Sequence, residues 1–179
     1  MDALRKAEIE LDKEMYKQVD MIYSAAAIAF ARYWNDGWGP KRITALFEKT
    51  LEAWNECGDS NEISMLQMLE DETGIEVKIR ETDKSWHDLA FLNAKIKMDR
   101  MTKAQWIYMR QRQKQWIGAQ VMACLFLALH RKYGFGTERL LRLMNQIDDI
   151  RDEYEWDRAR LVKGCEEEAR VILKEALNG

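Results

Sequence analysis

The fold of this 179-residue chain is decided by the stretch AAAIAFARYWNDGWGPKRI, residues 25–43. Its alanine-rich first part predicts a helix that a second helix can approach closely, since alanine adds little bulk. Gly37 can adopt the left-handed backbone conformation that ends a helix. Gly39 and Pro40 suit the N-cap and the first position of the next helix, where no amide hydrogen is needed. The stretch therefore predicts a helix, a Gly-x-Gly turn and a second helix.

The second half of the chain carries a similar stretch, ACLFLALHRKYGFGTERLL, at residues 123–141. A shift of 97 positions, which places Gly37 on Gly134, aligns the apolar runs and the turns without a gap. The same shift pairs Leu46 with Leu143. An internal duplication accounts for these matches together. We therefore predict an all-α helical bundle built from two pseudo-repeated helix–GxG turn–helix units.

The predicted organisation is a first helical repeat over 1–79, a connector over 80–101 and a second helical repeat over 102–179. The apolar spacing and the capping residues predict helices over 3–34, 40–57, 63–73, 86–98, a long one that begins after Thr102, and two more over 137–154 and 158–177. Residues 75–79 alternate apolar and polar side chains, which fits either one short strand or an extended linker.

Composition favours a protein that works inside a cell. Apolar residues make up 47% of the chain, enough for a core. The longest apolar run, over 121–129, is far below the roughly 20 residues that cross a bilayer. The N-terminus is charged, without a signal peptide, and the three cysteines form no CxxC pair. We expect a cytoplasmic protein of a bacterial host cell, with reduced thiols and no membrane contact.

Carboxylates at helical spacing are the one feature of the sequence that would favour an enzyme. Asp148, Asp149 and Asp152 form a DDxxD motif that could hold Mg²⁺, but no second aspartate-rich helix accompanies it, which favours a solvated acidic face. A metal-dependent all-helical nucleotide pyrophosphohydrolase is the alternative, and it would use Glu48, Glu52, Asp149 and Glu153. No ExxE…ExxD set completes the four-carboxylate cage.

No other catalytic pattern is present in the sequence. His87 and His130 are the only histidines, and neither has zinc-ligand spacing. A GxSxG motif is absent, and the GxG turns do not follow a strand as a dinucleotide site requires. We expect no catalytic residue, no metal site and no cofactor.

Charge is distributed unevenly along the chain. Residues 45–94 contain twelve acids and four bases, whereas residues 95–116 contain seven bases and one acid. Aromatic residues interleave with this basic stretch, which is typical of surfaces that bind nucleic acid or the acidic region of a partner. Its candidate partner-binding residues are Lys95, Lys97, Arg100, Lys103 and Arg110.

The two GxG turns predict a second binding surface. Lys41 and Arg42 lie in the first turn of a helix, where the macrodipole disfavours cations. An anionic partner bound there would offset this unfavourable interaction. Trp38 beside them, with Phe135 and Arg139 in the second unit, would form two tips that combine an aromatic and a basic residue. Alternatively, each ring packs between the helices of its own unit.

Several segments resemble small accessory proteins of phages that infect Firmicutes. They are Tyr33-Trp34, Gly37-Trp38-Gly39-Pro40-Lys41-Arg42, Ser64-Met65-Leu66-Gln67-Met68, Glu70-Asp71-Glu72-Thr73-Gly74-Ile75 and the segment Ala128–Gly136. In size and layout the chain most resembles a type II anti-CRISPR. The resemblance implies binding to Cas9 with guide RNA and a block of target DNA binding or cleavage.

These observations leave three function classes open. The first is a phage-encoded Cas9 inhibitor, either monomeric or a homodimer through the N-terminal helix, with duplex DNA as at most a weak ligand. The second is the pyrophosphohydrolase, and the third is a DNA-associated phage accessory protein.

Overall fold

A computed structural model describes residues 2–57, 64–78, 87 and 102–173. The helices are α1 (Ala3–Tyr33), α2 (Pro40–Cys57), α3 (Ser64–Thr73), α4 (Lys103–Tyr133), α5 (Thr137–Glu153) and α6 (Arg158–Gly164), which continues into a π-helical turn (Cys165–Ala169). Within these ranges the chain forms no sheet, so the all-α prediction is confirmed. None of the described helices is both long and apolar enough to cross a lipid bilayer.

Two 31-residue helices, α1 and α4, lie side by side in parallel and form the centre of the fold. Lys103 Nζ lies 2.5 Å from Asp2 Oδ1, so the two helices begin at the same end. Further along, a Cβ added to Gly118 would lie 2.9 Å from Gln18 Oε1. A capping box between Thr102 and Gln105 starts α4 by satisfying two amide hydrogens.

The C-terminal parts of the central pair are buried on all sides. Every residue of α1 from Met21 to Phe30, and every residue of α4 from Ala119 to Leu129, is buried. The alanines over 25–29 allow neighbouring backbones to approach closely, while Phe30 and Phe126 fill the larger gaps. Burial of each large apolar side chain contributes about 1.5–3 kcal/mol, so this segment dominates the core.

The outer helices cross between the two halves of the chain. Helices α2 and α3 pack on α4, whereas α5, α6 and the π-helical turn pack on α1. The second helix of each unit therefore packs mainly on the first helix of the other unit. Both halves contribute to one continuous core; the proposed boundaries at residues 79/80 and 101/102 remain predictions.

The two hairpins differ in their turns. Six residues, 34–39, separate α1 from α2, and only three, 134–136, separate α4 from α5. The helix-ending role that was predicted for Gly37 belongs to Gly134, which ends α4 in the left-handed conformation (φ 70°). Helix α1 ends at Tyr33, and Gly37 (φ 115°) lies inside the longer turn. The gapless alignment superposes the first residues of α2 and α5, Pro40 and Thr137, but α1 ends three residues earlier than α4 does. The duplication remains a hypothesis.

Two apolar or aromatic residues that continue the apolar spacing of α1 and α2 do not face the core. Tyr33 is 58% exposed and Leu51 is 40% exposed. On α2 the inward position belongs to Thr50, which is 1% exposed and donates a hydrogen bond from Oγ1 to Leu46 O at 2.9 Å. The hydroxyl is satisfied by the helix itself, so its burial costs little.

The predicted helix over 158–177 is interrupted at residues 170–172, and residues 174–177 lie outside the described residues. Arg170 adopts a left-handed conformation (φ 59°), and the chain then turns back so that Val171 and Leu173 enter the core. Cys165 Sγ lies 3.3 Å from Val171 O across this turn. Burial of two further apolar side chains favours the turn over a straight helix.

The region after α3 is extended. Ile75 and Val77 are buried while Glu76 and Lys78 are exposed, as an alternating segment requires, but the described residues 74–78 contain no strand, only an isolated bridge at Lys78. This agrees with the predicted extended linker. Ile79, the predicted capping box over 59–62 and nearly all of the predicted helix over 86–98 lie outside the described residues.

Candidate functional site

Five aromatic rings meet where the two hairpin turns come together. Phe30 stacks on Trp38 with ring centroids 4.2 Å apart, and Trp38 lies 5.0 Å from Tyr133. Phe135 packs edge to face with Trp38 at 5.9 Å and lies 5.4 Å from Trp34. We call these five residues the aromatic cluster. The cluster joins α1, α4 and both turns.

The two rings predicted as partner contacts lie inside this cluster. Trp38 is 7% exposed and Phe135 is 2% exposed. They do not form two separate tips, and neither packs only within its own unit: each contacts residues of the other hairpin. The rings therefore serve as the floor of a surface, and only groups above them can touch a partner.

Three arginines cover the cluster. The guanidinium of Arg42 lies 4.4 Å from the Trp38 ring centroid and 5.2 Å from that of Tyr133. Arg139 lies 5.4 Å from the Phe135 centroid, and Arg142 lies 5.6 Å from Trp34. We call Arg42, Arg139 and Arg142 the arginine rim. All three are exposed, and none forms a salt bridge with any carboxylate that the structure describes.

Hydrogen bonds hold the backbone and rings beneath the rim. Arg42 donates from Nη1 to Gly37 O at 3.2 Å, and Trp34 Nε1 donates to Gln146 Oε1 at 2.7 Å. His130 Nδ1 lies 2.8 Å from Phe135 O, and because a carbonyl only accepts, this nitrogen is the donor. The second histidine is thus a residue that stabilises the turn, which sequence spacing did not show.

A cavity of about 310 Å³ opens between the rim and the turn of the first unit. Arg42 and Arg139 line it from two different helices, and Tyr33, Asn35 and Asp36 line it from the turn side. The cavity is about ten times the roughly 30 Å³ that one water occupies in the liquid. Asp36 is the only carboxylate among its lining residues, so the lining carries a net positive charge.

The remaining predicted basic residues do not join this surface. Lys41 is exposed in the first turn of α2. Lys103 is paired with Asp2, and Arg110 lies 5.4 Å from the Trp106 centroid. Lys103 is the first residue of α4 and Arg110 lies two turns along it, whereas the rim lies beyond the far end of the helix. At 1.5 Å per residue that end is roughly 45 Å from Lys103 and roughly 35 Å from Arg110. Lys95, Lys97 and Arg100 lie outside the described residues.

Two of the three carboxylates of the DDxxD motif accept hydrogen bonds from residues close to them in the sequence. Asp148 Oδ1 accepts from Arg151 Nη2 at 2.5 Å, and Asp152 Oδ1 accepts from Trp156 Nε1 at 2.6 Å. Within the described residues no three His, Cys, Asp or Glu side chains are grouped as a metal site would need. The hydrolase hypothesis uses carboxylates from two outer helices, namely Glu48 and Glu52 on α2 and Asp149 and Glu153 on α5. These two outer helices pack on different central helices, α2 on α4 and α5 on α1.

An ion-pair network that the sequence did not reveal lies beside the π-helical turn. Arg32 donates to Glu168 at 2.8 Å and to Glu153 at 2.7 Å, and Tyr154 Oη donates to Glu168 at 2.6 Å. Burial opposes the charge of Glu168, but the hydrogen bonds from Arg32 and Tyr154 outweigh it and hold its pKa below the usual range. Burial, followed by the Glu168 contact, raises the pKa of Tyr154 to about 12.

A larger groove of about 910 Å³ runs beside the middle of α1 and α4. Its lining mixes acids such as Glu14 and Asp148 with bases such as Lys17 and Arg151, and with apolar groups such as Met122. Opposite charges in similar number favour no particular class of ligand. The cavity under the arginine rim is the more selective of the two.

Comparison of the chain with protein-family models, with curated proteins and with solved structures finds no match.

Proposed function

We propose that this protein is a phage-encoded inhibitor that binds Cas9 or its guide-RNA complex and blocks target DNA binding or cleavage. The observation that carries the proposal is the arginine rim: three exposed guanidiniums over a rigid aromatic floor, with no carboxylate partner among the described residues. Such a surface is suited to recognition of a macromolecular anion.

The energetics of the rim favour an external partner. Each cation–π contact at an exposed site contributes about 0.5–1 kcal/mol, while three like charges at one end of the molecule repel one another. Arginine and tryptophan are also the residues most enriched at the energetic centres of interfaces. An anion that binds there would be attracted by all three guanidiniums. Because the aromatic floor already limits their motion, less side-chain entropy would be lost on binding.

A second surface carries the opposite charge. Glu48, Glu52 and Glu56 recur on the exposed side of α2, and Asp71 is exposed on α3. Between Glu48 and Glu56 the one basic residue of α2 is Lys49, which lies 3.6 Å from Glu52. A Cas9-type complex offers both a positively charged nucleic-acid channel and the nucleic acid itself. A protein with separate acidic and basic surfaces fits such a target better than it fits free DNA.

The choice of Cas9 rests on the resemblance to type II anti-CRISPR proteins described above. The geometry supports binding in general, and the resemblance selects the target. In this proposal the protein acts by occupancy, at a ratio near one to one, without turnover of a substrate.

The test is a target-DNA cleavage assay with purified Cas9 and guide RNA. We expect inhibition near equimolar ratio by the natural chain. The rim variant R42A/R139A/R142A should require at least about tenfold more protein, which corresponds to a loss of about 1.4 kcal/mol. The matched control is R5A/K6A/K13A, which removes the same charge from exposed positions of α1 and should inhibit like the natural chain.

Each competing function predicts a different result. Absence of inhibition and of co-elution with Cas9 would contradict the proposal. Mg²⁺-dependent release of pyrophosphate from nucleotides, lost in Glu52→Gln, would instead identify a hydrolase. A strong and salt-dependent shift of duplex DNA by the protein alone would identify a DNA-associated protein.

A further inference from the structure

We propose that the cavity under the arginine rim is a phosphate subsite for single-stranded nucleic acid, and that Tyr33 at its mouth stacks on the adjacent unpaired base. The inference rests on the proposed function, in which guide RNA supplies such a strand. It adds the chemical class of the ligand and the residues that would recognise it.

The phosphate part follows from the two arginines that line the cavity. Arg42 comes from the start of α2 and Arg139 from the start of α5, so they approach the space from two sides. A guanidinium presents a planar fork of donors that matches two oxygens of one phosphate. Arg142 adds a third positive charge beside Trp34. The cavity volume of about 310 Å³ admits a phosphodiester group together with water.

The base part follows from Tyr33. Its side chain is exposed at the last position of α1, lines the same cavity, and stacks on no other ring among the described residues. A solvent-exposed tyrosine beside a phosphate subsite is the arrangement by which single-strand binding proteins hold successive nucleotides. Since its neighbours Trp34 and Trp38 are fixed in the aromatic cluster, the platform lies on rigid backbone.

The polar residues at the mouth favour a nucleic acid strand over an acidic peptide. Asn35 and Asp36 are exposed and line the cavity. The Asp36 carboxylate accepts hydrogen bonds only, so it suits the N–H edge of a base, a donor that the ionised side chain of a glutamate or aspartate lacks. In a duplex the same base edge is paired and its faces are stacked, so a duplex cannot use Tyr33 or Asp36 in this way.

Binding of labelled oligonucleotides to the full chain alone, followed by fluorescence anisotropy, tests the inference. The probes are a short polyuridine RNA, the matching polythymidine DNA, and a duplex of the same length. We expect both single strands to bind at least about tenfold more tightly than the duplex. Equal affinity for RNA and DNA would show that the protein recognises the phosphate and the base, which both strands share. A preference for RNA would indicate a further contact to the 2′-hydroxyl.

Variants separate the two parts of the site. R42A/R139A should weaken single-strand binding about tenfold or more and reduce its salt dependence. Tyr33→Ala should weaken it by a similar factor, and Tyr33→Phe should restore it because the ring face is kept. R5A/K6A/K13A should bind like the natural chain. Unchanged thermal melting of Tyr33→Ala would show that the loss does not come from unfolding, since this ring is exposed.

The inference is wrong if the duplex binds as well as the single strands, if Tyr33→Ala and R42A/R139A bind like the natural chain, or if polyglutamate displaces the strand as effectively as RNA does. The proposed function is contradicted by a different result. If the protein binds single strands but does not inhibit Cas9, the phosphate subsite is supported and the proposed inhibitor function is contradicted. If the protein inhibits Cas9 through the arginine rim but binds no single strand, the inhibitor function is supported and the phosphate subsite is contradicted.

Discussion

The Trp38 and Phe135 rings, from turns that lie 97 positions apart in the sequence, pack edge to face with their centroids 5.9 Å apart. Each ring belongs to a different hairpin, and each hairpin places its second helix on the other's central helix. The contact therefore joins the two halves at the end of the molecule that carries the arginine rim. If it weakens, the floor of the candidate site and the core should weaken together.

This relationship predicts energetic coupling between the two turns. Trp38→Leu and Phe135→Leu should each destabilise the fold, and a double-mutant cycle should give a coupling free energy of about 0.5–1.5 kcal/mol, because aromatic pairs contribute beyond their buried area. Urea denaturation of the four proteins measures it. As a control, Trp38→Leu combined with Tyr16→Ala, an exposed site on the far half of α1, should be additive within about 0.5 kcal/mol. Additivity of the Trp38 and Phe135 changes would contradict the coupling.

A second prediction concerns the close approach of Gly164 to Tyr154. A Cβ added at Gly164 would lie 2.5 Å from Tyr154 Oη and 2.7 Å from two of its ring carbons. Gly164→Ala should therefore lower the free energy of unfolding by about 1–3 kcal/mol through overpacking. In a Tyr154→Ala background the same change should be neutral or stabilising, since alanine favours a helix over glycine by about 1 kcal/mol. The same loss in both backgrounds would show that the ring is not the cause.

A third prediction concerns acid and the Arg32 network. The pKa of Glu168 is lowered in the folded state, so its contribution to stability is present above the unfolded pKa of about 4.3 and is lost as pH falls through the lower folded value. Arg32→Gln should therefore destabilise the protein clearly at neutral pH and much less at about pH 3. Urea midpoints at the two pH values measure the difference.

The control for this prediction is Lys49→Gln. It breaks an exposed pair with Glu52 at 3.6 Å, and such pairs contribute at most about 1 kcal/mol. We expect almost no change in the urea midpoint at either pH. If Arg32→Gln cost the same at both pH values, its role would be packing and not charge.

A fourth prediction concerns the thiols of Cys124 and Cys165, both of which are buried. Burial raises the pKa of the Cys165 thiol to about 12, so the reactive thiolate is scarce at neutral pH. In a Cys57→Ser background, Ellman's reagent should label neither thiol of the native protein and both after unfolding in urea. Labelling of Cys165 under native conditions at the rate of an exposed thiol would show that the π-helical turn opens readily.

Part of this structure could be predicted because its causes are local. Apolar spacing and alanine content located α1 and α4, and Gly134 ends its helix in the conformation expected of a C-terminal glycine. Thr102 caps α4 as predicted. Apolar spacing does not predict that Thr50, and not Leu51, lies inward on α2, because the helix packed against α2 decides which of two adjacent positions is buried. It also does not predict the interruption of the C-terminal helix at residues 170–172, where Val171 reaches the core.

The candidate site was predicted in part. Arg42 and Arg139 were selected for their place after the GxG turns, and both cover the aromatic cluster. Arg142 was missed, although its position one turn after Arg139 on α5 could have suggested it. No sequence signal could have paired Arg32 with Glu153 and Glu168, because those partners lie 121 and 136 positions away.

The sequence by itself determined that this chain is helical, where its two turns lie, and that acidic and basic residues are segregated along it. Only the tertiary structure decided that Trp38 and Phe135 share one cluster, and that Arg42 and Arg139 line one cavity. Helix periodicity and glycine backbone freedom act over a few residues, so they can be read along the chain. Which helices pack side by side depends on the fit of whole surfaces about 100 residues apart, and that fit forms only in the folded core.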